Sequence, residues 1–281
     1  MQNLTVCKSN KVIEAGYRLS LNEQKIVLIC IARHNPLNPL SASDRFDVSA
    51  REFSEITGIE VSHAYESLKD VADSLFNRYI IIDNPDKSQP KLRQIKTRWI
   101  SSIGYMPDSG TISLRFAADM LPYLSELQSC FTKYELKNIG GMTSVYGVRL
   151  YELLSQYRTF GRREFTIAWL KSHFEIADAY KSITDFRKYV INQAVNNINT
   201  HSDMAVQQPI YVKTGRSVTG IVFDFKTRPK APPVRAKKKA AAQPTATLSN
   251  LEHFAGLRKR FGDNAAIPPE IETQLKELGR W

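Results

Sequence analysis

Two stretches of this chain carry the same order of segments, so a fold that explains one has to explain both. The first runs helix, strand, helix, helix, hairpin between residues 20 and 116, and the order restarts at residue 144. In the first stretch "SLNEQKIVLICIARH" opens on Ser20 with Glu23 three residues on, a capping-box pattern ahead of an apolar run. "RFDV" reads as a short strand. Ser49 is the natural N-cap of "SAREFSEITG", Gly58 its stop, and "VSHAYESLKDVADSLFN" the third helix. Ala64, Tyr65, Leu68, Val71, Ala72, Leu75 and Phe76 fall within one arc of that helix at about 100° per residue, which predicts its core face. "YIIID" reads as a strand, and "LRQIKTRWISSIGY", turned by "MPDSG" into "TISLRF", reads as a hairpin.

The second stretch repeats the plan. "SVYGVRLYELLSQYR" reads as a long amphipathic helix with Val145, Val148, Tyr151, Leu154 and Tyr157 along one side. "REFT" stands where "RFDV" stood, Thr166 caps the short helix "IAWLKSHFEI", and "DAYKSITDFRKYVINQAVNNIN" reads as the third helix. "MAVQQPIYVK", "TGR" and "SVTGIVFDF" supply strand, turn and strand. The third helices begin alike, "HAYESL" at 63–68 and "DAYKSI" at 178–183. This order is that of a winged helix-turn-helix. The expected fold class is α+β, with two tandem winged-helix domains related by pseudo-duplication and a flexible basic C-terminal tail. The expected limits are 1–128 for the N-terminal domain and 129–227 for the C-terminal one, then a basic Pro/Ala/Lys linker at 228–247 and a short helical tail at 248–281. "RPKAPPVRAKKKAAAQPTA" has too little apolar surface to offset the entropy of ordering it.

Charge narrows the partner. The net charge of +11 points to a polyanion, and its location is more telling than its size. Residues 1–128 hold 15 Lys and Arg against 15 Asp and Glu, residues 129–227 hold 13 against 8, and residues 228–281 hold 11 against 5. Cys7, Cys30 and Cys130 are odd in number and far apart, which suggests neither disulfides nor a zinc pair. The five His show no metal-binding spacing, and no cofactor is expected. With no secretory signal and no membrane-length apolar run, the expected location is the cytoplasm.

"VINQAVNNIN", residues 190–199, holds five amide side chains where a solvated helix face would ordinarily carry Glu, Lys or Arg. With Phe186 at zero on a wheel, Val190, Ile183, Ala194, Ile198, Ile191 and Val195 spread from about 40° to 180°. Lys188, Lys181, Asn199, Asn192, Asp185, Asn196 and Tyr189 fall between about 200° and 300°, and Arg187 lies near the edge of the apolar arc. An amide donates and accepts at once, which a base edge in the major groove demands, while Lys reaches guanine or phosphate. The candidate DNA-binding residues are therefore Lys181, Asp185, Arg187, Lys188, Tyr189, Asn192 and Asn196, with Lys213 and Arg216 from the following hairpin. The equivalent helix of the first stretch shows Glu66, Asp70 and Asp73 outward and would repel phosphate. Arg93, Lys96 and Arg98, assigned to one side of "LRQIKTR" in that domain's hairpin, are its candidates for auxiliary contacts.

With these features in place, the chain resembles the iteron-binding, theta-type plasmid replication initiators, the RepE/RepB-like Rep proteins. The resemblance covers about residues 10–227 and rests on "LSLNEQKIVL", "GVRLYELLSQYR", "DFRKYVINQAVNNIN" and "KTGRSVTGIVFDF" together. It implies two winged-helix domains that clasp iterons in double-stranded DNA at a plasmid origin, with Asp185, Lys188 and Tyr189 at the reading end. It also implies a homodimer in equilibrium with monomer, dimers repressing their own gene through an operator inverted repeat. Monomers melt adjacent DNA and help load the replicative helicase with host DnaA. The alternative is a winged-helix transcriptional repressor without a replication role. An enzyme acting on DNA is disfavoured: the clustered His of a relaxase, the Arg and His constellation of a recombinase and the P-loop of an ATPase are all missing from the sequence.

Overall fold

Capping decides where the first half begins its helices. The computed structural model describes residues 4–85, 90–125, 127, 131–228 and 276. Ser20 caps α2 (Leu21–Arg33): its hydroxyl accepts from Glu23 N at 3.2 Å, and the Glu23 carboxylate accepts from Ser20 N, completing the capping box. Ahead of it stand β1 (Thr5–Ser9), α1 (Asn10–Glu14) and β2 (Gly16–Tyr17). After β3 (Phe46–Ser49), the Ser49 hydroxyl accepts from Glu52 N at 3.2 Å to start α3 (Ala50–Thr57), which Gly58 ends at a φ of 80°. The third helix, α4 (Val61–Phe76), follows with Ala64, Leu68, Ala72 and Leu75 fully buried. Phe76, expected in the core arc, is turned out and lies under the Arg98 guanidinium, 5.3 Å from its ring; Tyr65 and Val71 are half-buried.

The long strand expected from "LRQIKTRWISSIGY" is two strands. β4 (Tyr79–Asp83) pairs antiparallel with β5 (Gln94–Arg98), the register running from Asp83 opposite Gln94 to Tyr79 opposite Arg98, and β2 adds to the other edge of β4. Trp99 then turns fully into the core and breaks the strand. Beyond it β6 (Ile100–Met106) pairs with β7 (Thr111–Phe116) around Gly110 at a φ of 58°, and β3 adds to β7. The wing of the first half is thus β6 and β7, on a sheet separate from β5.

The second half begins from β8 (Phe131–Glu135), paired with β1, and α5 (Lys137–Gly140). α6 (Val145–Ser155) was expected to be amphipathic, yet every residue from Gly147 to Ser155 is buried. It is enclosed by α1, β8 and the later helix of the second half, so its polar side chains have to be satisfied internally. Glu152 pairs with Lys8 at 2.8 Å, both buried, and accepts from the hydroxyls of Tyr134 and Tyr17. Burial opposes the Lys8 charge, and the facing Glu152 carboxylate overrides it, so the Lys8 pKa ends above its ordinary value. Arg149 donates through Nη2 to the carbonyls of Ala15 at 2.8 Å and His173 at 2.9 Å, with its guanidinium 3.4 Å over the Tyr17 ring. Tyr157, beyond the helix, is exposed.

Thr166 then ends β9 (Arg162–Thr166) and caps α7 (Ile167–His173), accepting from Trp169 N at 3.1 Å. The final sheet has the order β10 (Met204–Val206), β12 (Ser217–Thr227), β11 (Ile210–Thr214), with β9 also on β12. Among the described residues no helix is long and apolar enough to cross a membrane. Apart from Arg228 and an exposed, helical Lys276, the expected linker and tail lie outside the described residues.

Removing one partner of a buried ion pair leaves the other uncompensated, which costs about 3–5 kcal/mol. Lys8→Met is expected to lower unfolding stability by that amount in urea titrations. Adding Glu152→Gln to Lys8→Met is expected to recover part of the loss; strictly additive losses would show that the two groups act independently.

Candidate nucleic-acid interface

The third helix of the second half is held by its apolar side and by two of its amides. A loop over 176–182, with Tyr180 at a φ of 51°, leads to Ser182, whose hydroxyl accepts from Thr184 N at 3.2 Å. The helix begins there, as α8 (Ile183–Asp185), continues through a π-helical stretch (Phe186–Ile191) and ends as α9 (Asn192–His201). The expected start at 178 is therefore corrected. "DAYKSI" is mostly loop, whereas "HAYESL" lies wholly within α4, and Lys181 is an exposed loop residue.

The π stretch also corrects the wheel. Asn192 N donates to Arg187 O, five residues back, which inserts a residue into the turn and changes the phase of side chains around it. Arg187, placed at the edge of the apolar arc by an ideal helix, is exposed, and its guanidinium stands 5.4 Å from the Tyr211 ring. Phe186, Val190, Ile191, Ala194 and Ile198 are fully buried, and Val195 is half-buried.

Gly147 of α6 lets this helix approach closely: a Cβ there would meet Asn197 Cβ at 2.8 Å. Asn197 is itself buried. Its Oδ1 accepts from Thr143 N at 2.7 Å and Ser144 N at 3.1 Å, which ties the helix to the start of α6. Asn199, expected on the polar face, instead pins β10, accepting from Val206 N at 2.7 Å and donating to Val206 O at 2.9 Å. At the far end Arg158 holds Asp203 through bonds of 2.9 and 3.0 Å. Burial works against the Asp203 charge, but the Arg158 hydrogen bonds keep its carboxyl below the ordinary carboxylate range.

What remains exposed is one continuous polar face: Asp185, Arg187, Lys188, Tyr189, Asn192, Gln193 and Asn196. Lys188 Nζ lies 4.9 Å from the Tyr189 ring, and Tyr180 leans on Tyr189 with ring centroids 6.4 Å apart. Beside this face the β11–β12 hairpin turns at Gly215, φ 63°, carrying Lys213 and Arg216 exposed. Arg187 over Tyr211 joins the helix to this wing. Gln193 was not among the expected DNA-binding residues, although its place in the amide run was the available signal. Asn197, Gly147 and Arg158 had no such signal, because their roles depend on partners 45 or more residues away in the chain.

The first half presents a different surface. Glu66, Asp70 and Asp73 are exposed on α4, as expected. The Tyr105 hydroxyl on β6 donates to Asp73, a bond that together with burial pushes its pKa up to about 12. Arg93, Lys96 and Arg98 do not share one side of a strand: Arg93 precedes β5 with the opposite parity, while Lys96 and Arg98 face outward with Gln94. Lys96 Nζ sits 3.9 Å over the Tyr79 ring, and Arg98 donates to Phe76 O. These residues belong to the β4–β5 hairpin and not to the wing.

Two family models match the chain, one described as Initiator Replication protein, WH1, over residues 5–155 and one described as Initiator Rep protein, WH2, over residues 166–225. The chain belongs to the initiator replication protein family. The chain is 25% identical over 230 residues to a "Replication initiation protein" of Escherichia coli, spanning 79% of this chain and 70% of that relative. It is 24% identical over 239 residues to the "PI protein" of the same organism, spanning 74% of this chain and 78% of the relative. Its fold is similar to that of Pi initiator protein, solved in complex with iteron DNA, at a TM-score of 0.68 and 21% identity over 81% of this chain and 98% of that one. The α+β fold of two winged-helix domains stands.

Asn197→Ala is expected to leave the Ser144 and Thr143 backbone donors without their acceptor and to cost about 1–3 kcal/mol in urea unfolding, whereas exposed Asn196→Ala stays within about 0.5 kcal/mol. Gly147→Ala is expected to destabilise by about 1–3 kcal/mol, since the added methyl would stand 2.8 Å from Asn197 Cβ, the base of a side chain already held by its own hydrogen bonds. Calorimetry of the three variants checks the ranking.

Proposed function

We propose that this chain is a plasmid replication initiator that binds repeated origin sites, the iterons, in duplex DNA. The α8–α9 helix reads the major groove, and the β11–β12 wing contacts the flanking backbone. The observation that carries this reading is the exposed face of Asn192, Gln193, Asn196, Lys188 and Asp185 on a helix whose other side is locked against α6. Asn and Gln match the adenine edge, Lys the guanine edge and Asp the cytosine amine. Lys181, Lys213 and Arg216 supply phosphate contacts at the margins of that face. Pi initiator protein, which shares this fold, was solved in complex with iteron DNA, and this supports iteron DNA as the partner.

Binding at the origin promotes strand opening and recruitment of host DnaA and the replicative helicase. The balanced charge of residues 1–128 suits protein contacts, including a homodimer that represses the initiator's own gene through an inverted repeat. Arg93, Lys96 and Arg98 add auxiliary backbone contacts from the first half. Residues 1–128 and 129–227 are the working division of labour, with the basic residues from 228 onward adding non-specific attraction to DNA.

A footprint on the few hundred base pairs flanking the gene is expected to show several protected direct repeats spaced by whole helical turns. A single protected palindrome would assign the chain to transcriptional repression alone. Lys188→Ala is expected to weaken specific binding by about 1–3 kcal/mol and relax preference at one base position. Uniform weakening on every sequence would place Lys188 on phosphate.

A further inference from the structure

A cavity of about 300 Å³ opens between the two halves and is lined by Arg18, Ser20 and Arg78 from the first and by Tyr146, Arg149 and Phe174 from the second. With each water occupying about 30 Å³, it has room for roughly ten waters, or for a phosphate group and its hydration. Three arginines meet there, and their charges are unevenly compensated. Arg78 is paired with buried Glu23 at 2.9 Å. Arg18 is exposed and makes no hydrogen bond or ion pair among the described residues.

Arg149 is the unusual member. It is 3% exposed, and the groups that engage it are neutral: the Ala15 and His173 carbonyls, the His173 ring and the face of Tyr17. Burial first, and the neighbouring Arg149 charge second, hold the His173 imidazole well below its ordinary pKa, so it stays uncharged and answers no charge of its own. The nearby Glu152 carboxylate is taken by Lys8, and two Arg149 nitrogens, Nε and Nη1, have no acceptor among the described residues. Glu175 adds a carboxylate on the Gly16 side of this neighbourhood. Lys8, Glu152 and Arg149 together still leave a net positive charge inside the protein. Such a charge is stabilised by an anion from outside.

The position of the cavity is also informative. Tyr146 lies beside Tyr180, and Tyr180 leans on Tyr189 of the proposed reading face. On the other side Arg78 bonds Ser74 of α4 at 3.4 Å. The cavity therefore sits beside the C-terminal end of α4 on one side and, through Tyr146 and Tyr180, within two side chains of Tyr189 on the other.

We propose that this arginine-lined cavity is a phosphate-binding site, filled by a backbone phosphate of bound DNA or by a free phosphate compound. The DNA source rests on the initiator reading; the free source does not. Arg18 is the anchor that reaches solvent, and Arg149 supplies the fixed charge behind it.

The test uses the full chain and Arg18→Ala and Arg18→Glu variants, whose exposed side chain carries no structural bond. One arm follows thermal unfolding without DNA in inorganic phosphate or pyrophosphate against chloride at matched ionic strength, with Lys188→Ala as a control for general surface charge. The other follows affinity for an iteron-bearing and a scrambled duplex as salt is varied. A DNA phosphate at Arg18 is expected to appear as a salt slope smaller by about 0.9 in Arg18→Ala on both duplexes. A free phosphate is expected to raise the melting temperature of wild type and Lys188→Ala but not of Arg18→Glu. Slopes and melting shifts that Arg18 substitutions leave unchanged overturn the proposal. If the wild type binds neither duplex, the initiator reading fails, and the melting arm alone decides the cavity.

Discussion

The buried pair of Lys8 and Glu152 is the interaction on which the rest of the structure depends, because it lets a helix with charged residues sit at the centre of the molecule. α6 is enclosed along its length, and a carboxylate there is tolerable only with a counter-charge and hydrogen bonds in place. Lys8 arrives from β1, 144 residues away in sequence, and Tyr17 and Tyr134 complete the shell around Glu152. Arg149, one turn away, is held by carbonyls from both halves, Ala15 and His173. Polar bonds with fixed partners specify one packing of the halves where an apolar seam would permit several.

That central helix also sets the reading face. Gly147 lets the α8–α9 helix seat its Asn197 side chain directly against α6, and Asn197 ties the helix to the α6 N-terminus. A face meant to discriminate base edges has to be placed to within a fraction of an ångström, which favours a site on a helix locked from behind. The π stretch then turns Arg187 outward to the wing, so helix and hairpin meet through its contact with Tyr211.

Local signals were legible and long-range ones were not. The Ser20, Ser49 and Thr166 caps, the Gly58 stop and the Gly215 turn depend on residues within a few positions of one another, and each stands as read. The α6 burial was hidden because Arg149 and Glu152 look like solvent residues until Lys8 and Ala15 are brought to them. Period-two reasoning ran through Trp99 because nothing local says that a large aromatic will leave the strand and enter the core. The wheel failed at Arg187 and Asn199 for separate reasons: a π turn changes the phase, and an amide that suits a base edge equally suits an orphan backbone pair at Val206.

The two halves share a plan and differ in what their third helix does with its outer side. On α4 the acids Glu66, Asp70 and Asp73 face outward, and Asp73 is tied to Tyr105 of the adjacent wing, so helix and wing satisfy each other. Bringing that surface against a phosphate backbone would break an internal bond and set like charges together. On the α8–α9 helix the wing contact is made by Arg187 beside the Tyr211 ring, and the exposed amides Asn192, Gln193 and Asn196 make no side-chain hydrogen bond among the described residues. The two faces differ in charge and in part in commitment: α4 shows three acids, one of them bonded to its wing, whereas the α8–α9 helix shows amides and cations held from behind. By that criterion the α8–α9 helix is the better suited of the two to meet base edges, which is the role proposed for it.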